Sequence, residues 1–451
     1  MPPVDPGLLA EAAPPAPSFG KALANRDIWL LAFTFFCFNL VFFWLAIFIC
    51  CLVMLYFMDY APLTDETEAS EEQIVKPDRK IDSSIVQDIT DIFKPLTHYR
   101  VHGQLVVEGR LLEASEGAYQ KLKDRFAPQN LTPVLQEDDA GRVLLTFTTQ
   151  GVLTSDESKR FPWLNFVLFI LTLITTTWAG AAHQGIDLLK DPQNFVAGLP
   201  YSLALMLILG AHELGHYFTA RAHGMKVTLP YFIPIPFALG TFGAFIQMKS
   251  PTENRRALFD VGISGPIIGL IFAIPALLIG LQYSTVVSGA AETDLLHGGA
   301  DIGSSMLLAV ITKMALGEAV TEGHRLVLHP LAFSGWLGLL VTALNLLPIG
   351  QLDGGHIAHA LFGRKKGDAI GQVALFSLFL LGLFVWSGFL VWAIIVFFIA
   401  GTKSAPPLND VSPLDRSRVA LGAVAFVLLI LILIPVPHAL YQTMGIHCPY
   451  V

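Results

Sequence analysis

The sequence is poor in charge. Of its 451 residues only 14% are Asp, Glu, Lys or Arg, against roughly a quarter in an ordinary soluble domain. That shortage excludes an ordinary cytosolic enzyme, and a net charge of −8 argues against nucleic acid as a partner. Cysteine is scarce as well. Cys37, Cys50 and Cys51 share one apolar run and Cys448 stands near the C-terminus, a spacing that supports neither a disulfide framework nor a cysteine-based zinc site. They read as small apolar residues of a membrane helix. The little charge there is lies unevenly: residues 59–160 hold 12 basic and 19 acidic residues, leaving 16 and 17 for all other positions. One polar domain is inserted into a chain that otherwise reads as membrane.

A bilayer core needs about 20 apolar residues in a helix. Residues 28–58 contain no charge, Pro or Gly and read as one long tilted helix. Further spans are expected at about 161–182, 195–220, 261–283, 331–349 and 420–436, and 369–400 is long enough for a hairpin of two helices turning at Ser387-Gly388. The count is about eight. Lys and Arg in the short loops set the orientation: with the loop after the third span on the cytoplasmic side, eleven fall inside and five outside. Both termini are then outside and the polar domain inside, although Lys21 and Arg26 oppose that placement of the first helix.

Within the polar domain, residues 59–160, an acidic stretch from Thr64 to Glu72 precedes a small folded unit. Ile85, Ile89, Ile92 and Phe93 mark one amphipathic helix. Val101–Leu111 reads as a strand, Ser115 as the cap of a helix presenting Tyr119, Leu122 and Phe126, and Leu131–Gln136 and Arg142–Thr148 as strands about Ala140-Gly141. No catalytic or nucleotide motif occurs in it, and a structural or regulatory role is expected.

At the cytoplasmic end of the third span stands His212-Glu213-Leu214-Gly215-His216. A spacing of four puts both imidazoles on one helix face, able to hold one Zn²⁺, with Glu213 beside them as general base toward a water. Glu213 is the one charged residue in the interior of any expected span, and an ionisable group there points to function. If Arg221 marks the membrane surface, His216 lies about 8 Å and His212 about 14 Å below it. A catalytic zinc needs a third protein ligand and an open position. Asp353 is the candidate, at the foot of the fifth span in Asn345-Leu-Leu-Pro-Ile-Gly-Gln-Leu-Asp353-Gly354-Gly355. The third and fifth spans run in the same direction in this topology, so Asp353 and His216 meet on one side. Pro348 breaks the helix and the paired glycines permit close backbone approach.

HELGH together with NLLPIGQLDGG resembles the signature of the site-2 protease family, the intramembrane zinc metalloproteases. GTFGAFIQMKSPTENRRALFDVGISGP, HPLAFSGW and PPLNDVSPLD resemble, more narrowly, its ethylene-dependent gravitropism-deficient branch of cyanobacteria and plastids, over roughly residues 195–437. The resemblance implies one zinc per chain on His212, His216 and Asp353, Glu213 as base, and Asn345 near the substrate or the developing oxyanion. It also implies substrates that span or attach to the membrane, within the lipid bilayer.

Pro230, Pro234 and Pro236 rule out a continuous helix over 229–249, and Gly240-Thr241-Phe242-Gly243-Ala244-Phe245 reads as an extended apolar strand. Such a strand could hold an unwound substrate segment by edge pairing, so Gly240, Thr241, Phe242 and Gly243 are substrate-binding candidates. In the family this region forms a membrane-associated β-element. His356 follows Asp353 by three positions and is expected to be structural, as is His329 before Pro330.

The expected architecture is a polytopic α-helical membrane protein of about eight transmembrane helices, with a small inserted α/β soluble domain and a membrane-associated β-element. Its layout is a tail (1–27), a first helix (28–58), the soluble domain (59–160), a second helix with its loop (161–194), a catalytic core (195–366) and C-terminal helices (367–451). The Ala/Pro-rich tail lacks the Arg/Ser character of a transit peptide, which favours a bacterial inner membrane over the alternative, a thylakoid or plastid membrane. Two other functions are weighed: an ion transporter, which would need polar residues through the full membrane depth, and a silent scaffold, which would have no use for Glu213.

Overall fold

The computed structural model describes residues 85–101, 104–138, 141–149, 162–288, 305–317, 324–384 and 387–434. The tail, the expected first helix and all four cysteines lie outside them.

The polar part is an antiparallel sheet with one helix. Strands β1 (Phe93–Val101), β2 (Gln104–Leu111), β3 (Leu131–Glu137) and β4 (Val143–Thr149) stand in the order β1-β2-β4-β3, and α1 (Ser115–Phe126) crosses between β2 and β3. Its core is bulky and apolar: Ile89, Ile92, Phe93, Val107, Leu122, Phe126, Leu135 and Leu145. Two expectations are corrected here. Among the described residues the helix expected through Phe93 ends at Asp88, and after a turn the chain enters β1. The spacing of Ile89, Ile92 and Phe93 satisfies the core equally well when a turn leads into a strand. β1 is concealed in the sequence by Pro95 and its charges, which an edge strand tolerates by a bulge between Pro95 and Thr97. Ser115 is the first residue of α1 rather than its cap, which is Ala114.

Six of the remaining helices build the core around the site: α2 (Trp163–Ala182), α3 (Leu199–Ala222), α4 (Arg255–Gln282), α5 (Met306–Leu316), α6 (Pro330–Asn345) and α7 (Asp353–Phe362). They are followed by α8 (Arg364–Phe384), α9 (Ser387–Ile399) and α10 (Arg416–Leu433). Among the described residues five helices are long and apolar enough to cross a membrane: α2, residues 192–222 containing α3, α4, α8 and α10. Many of their large apolar side chains are exposed, as lipid-facing positions must be, including Phe166, Leu207, Ile271, Phe376 and Val424. This is a membrane protein. The fifth expected span is shorter than proposed, since α6 ends at Asn345, ahead of Pro348. The short helix α5 and the antiparallel pair of β7 (Thr285–Ser288) and β8 (His324–Val327) that flanks it in sequence are features the hydropathy pattern does not announce.

Helix directions follow from the contacts. Ser334 donates to the Tyr201 carbonyl, Gly338 lies on Ile208 and Asn345 reaches His212, so α3 and α6 run parallel. Gly215 lies on Ser264 whereas Gly269 lies on His212, so α4 runs antiparallel to α3. The interfaces are made by glycine: a Cβ on Gly280 would stand 2.1 Å from the Ala332 amide nitrogen, and one on Gly335 2.5 Å from that of Leu277. Lipid gives helices no hydrophobic reason to associate, so close backbone packing must supply the attraction.

A second small hairpin, β5 (Tyr231–Pro234) with β6 (Thr241–Phe245), sits against α2 and α3. Thr175 donates to the Gly240 carbonyl, Tyr201 to that of Leu239, and Asn165 to those of Leu229 and Pro230.

Candidate metal centre

The site begins with α3. His212 and His216, one turn apart, face the same way, and both are buried with Glu213. α6 runs parallel beside α3, and its last residue, Asn345, brings Nδ2 to 3.3 Å from His212 Nε2. The chain then turns through Gly350, whose positive φ of 50° is one that side chains resist, and opens α7 at Asp353. Gly354 and Gly355 allow the tight return: a Cβ on either would come within 2.2 Å of backbone oxygen at Leu346 or Gly350.

These elements bring His212, His216 and Asp353 together. The two Nε2 atoms are 3.1 Å apart, His212 Nε2 is 3.2 Å from Asp353 Oδ2, and His216 Nε2 is 3.3 Å from Asp353 Oδ1. Ligands about 2.0–2.1 Å from a tetrahedral ion are about 3.3 Å from one another, so three donors at these separations fit one face of such a tetrahedron. The protonation pattern fits as well. His216 Nδ1 lies 2.7 Å from the Val261 carbonyl, which only accepts, so Nδ1 carries the proton and Nε2 offers its lone pair to the centre. No fourth His, Cys, Asp or Glu joins this group among the described residues.

Gly265 on α4 is indispensable to this packing, because a Cβ there would stand 2.1 Å from His216 Nε2. Gly269 lies against His212, and Gly262 against His356 and the Asp353 backbone. This glycine face was not singled out from the sequence. GISGPIIG has the small-residue spacing of a helix interface, and that was the available signal.

The Glu213 carboxylate lies beside the histidine–aspartate cluster, near the backbone of Ile246 just beyond β6. Of the other candidates, Gly240 is buried on α2, where a Cβ would stand 2.5 Å from Thr176 Cα. Thr241 binds the Ile233 carbonyl through its hydroxyl, Phe242 lies near Trp392, and Gly243 (φ 109°) borders open space. His356 is outside the cluster, its Nδ1 3.1 Å from Ser404 Oγ. His329 caps α6 by accepting from the Leu331 amide.

A histidine–histidine–aspartate centre with an adjacent glutamate, enclosed by membrane helices, defines a class of protein, and comparison agrees. Residues 200–385 match the family model described as Peptidase family M50, and the chain carries a domain of that family. Similar proteins include the Probable zinc metalloprotease EGY2, chloroplastic, of Arabidopsis thaliana, 33% identical over 365 residues that cover 77% of this chain and 63% of the relative. The Probable zinc metalloprotease EGY1, chloroplastic, of the same plant is 36% identical, covering 66% and 58%. Its counterpart in Oryza sativa subsp. japonica is 35% identical, covering 69% and 57%. The resemblance carried by HELGH and NLLPIGQLDGG therefore holds, to the branch. The chain spans about three fifths of the length of these curated relatives. No solved structure matches it.

Proposed function

We propose that the chain is an intramembrane zinc endopeptidase that hydrolyses peptide bonds of membrane-spanning or membrane-associated proteins. The observation that carries this is the convergence of three metal donors at tetrahedral separations, with a buried carboxylate beside them, inside helices of membrane type. His212, His216 and Asp353 would hold one zinc per chain. When bound, the ion supplies a Lewis acid that polarises the scissile carbonyl and acidifies water. Glu213 takes the proton of the attacking water and returns it to the amide nitrogen of the leaving peptide. Asn345 Nδ2, 3.3 Å from His212 Nε2, would donate to the oxyanion as the carbonyl carbon becomes tetrahedral.

A helical substrate must unwind before its carbonyl can be attacked. β6 ends next to Glu213, and its residues Thr241, Phe242 and Gly243, with Gly240 setting the turn, would pair with the unwound segment by edge addition. The proposed topology keeps eight spans, with the site toward the cytoplasmic face and 59–160 as a regulatory domain. For location, the relatives are named as chloroplastic, which supports the plastid-type membrane over the bacterial inner membrane.

Metal analysis tests the ligand set. The purified chain should hold about one zinc, and His212→Ala and Asp353→Asn should lose it; full occupancy in both variants would overturn the assignment.

A further inference from the structure

The segment 404–412, which overlaps the PPLNDVSPLD stretch, takes no part in the proposed chemistry and yet holds buried polar residues: Ser404, Asn409, Asp410 and Ser412 are all at most 5% exposed. Its backbone is threaded between two parts of the protein. On one side Leu135 of β3 donates to the Leu408 carbonyl at 2.7 Å and accepts from the Asp410 amide at 2.9 Å. On the other, Leu408 and Asn409 donate to the carbonyls of Thr252 and Glu253, at the start of α4. Leu408 and Val411 pack onto the core of the soluble sheet, and Asn409 donates to the Ser115 carbonyl at the start of α1. Isolated parallel β-bridges at Asn409, to Leu135 on one side and to Asn254 on the other, thus tie the edge of the soluble sheet to the start of α4.

The side chains of the same segment hold α7. Asp410 Oδ1 accepts from His359 Nε2 at 3.0 Å and from Arg255 Nε at 2.8 Å. Ser404 Oγ bonds His356 Nδ1. The other ring nitrogen of His359 is buried without a hydrogen-bond partner among the described residues, so Asp410 alone orients that imidazole. α7 has only ten residues and cannot hold itself by helix propensity. Its first residue is Asp353. A roll of 20° about the helix axis would swing a carboxylate carried about 5 Å from that axis by about 1.7 Å, whereas a working site tolerates about 0.5 Å.

We infer that residues 404–412 are a strap that ties the soluble sheet to the metal-bearing helix, and that Asp410 and His359 are positioning residues for Asp353. This rests on the metal-centre reading above. The soluble domain is then part of the frame that sets the third ligand, and whatever displaces it from the strap loosens the metal.

The test uses the full chain in lipid, loaded with Co²⁺ in place of zinc, and reads the d–d absorption together with metal affinity by chelator competition. Asp410→Ala and His359→Ala should weaken cobalt affinity about 10- to 100-fold, the scale on which outer partners of metal ligands act, and should change the d–d bands. Asp410→Asn, which keeps an acceptor oxygen in place, should recover most of the affinity. Glu116→Ala breaks the exposed pair with Arg256 across the same junction, touches no part of the strap, and should leave spectrum and affinity unchanged. Ser404→Ala, which removes one hydroxyl, should shift the bands in the same sense by less, and it serves if the larger truncations fail to fold. Wild-type bands and affinity in folded Asp410→Ala, His359→Ala or Ser404→Ala would overturn the strap. Cobalt bands that survive His212→Ala would instead overturn the metal centre itself, so the two failures are told apart.

Discussion

The soluble domain and the membrane core are packed by opposite means. In the first, Phe93, Leu122, Phe126, Leu135 and Leu145 fill a centre with bulk, and water supplies the driving force. In the second, buried side chains such as Tyr201 and Phe259 are brought together by close contacts at residues with no side chain: Gly265 under His216, Gly280 on Ala332, Gly335 on Leu277. The lesson is that removing atoms should damage the first region and adding them the second.

The largest effect is expected at Gly265. Gly265→Val must displace the His216 ring from the Val261 carbonyl, one turn earlier on the same helix, that fixes its Nδ1, so zinc binding should be abolished; metal analysis of the folded variant reads this. Next is Leu122→Ala in the soluble core, expected to cost about 2–5 kcal/mol of that domain's stability, measured by denaturant unfolding, with metal content kept in the folded protein. Were Gly265→Val to keep its metal, the contrast between the two regions would be broken.

The smallest effect is at the surface of the soluble domain. The Arg125 guanidinium, which pairs with Asp91 in a two-pronged bond, holds the Asp91 carboxyl down at about 2. A depressed carboxylate stabilises the fold above its unfolded value near 3.9 and loses that contribution as pH falls toward about 2. Because the pair is exposed to solvent, Asp91→Asn should change stability at neutral pH only slightly and should flatten its decline in acid. An acid-unfolding titration of variant and wild type is the check.

Legibility in the sequence followed the same divide. The convergence of His212, His216 and Asp353 could be read because the two histidines lie within one helical turn, and because Asp353 follows from counting spans: parallel helices end on one side. β1 could not be read, since Pro95 and an exposed edge conceal a strand whose partner alone justifies it. The glycines of α4 could not be assigned contacts without knowing which helix faces them. Residues 406–412 of the strap were recognisable as a family stretch, but its role depends on Leu135 and His359, distant in sequence and adjacent only after folding.

The central claim is peptide hydrolysis with Glu213 as the base, and one measurement addresses it most directly. A model transmembrane substrate is reconstituted in liposomes with either the wild-type chain or Glu213→Gln, both assayed for zinc content and for cleavage over time. The account predicts that both hold about one zinc and that only the wild type cuts. Cleavage by zinc-loaded Glu213→Gln at the wild-type rate would contradict it.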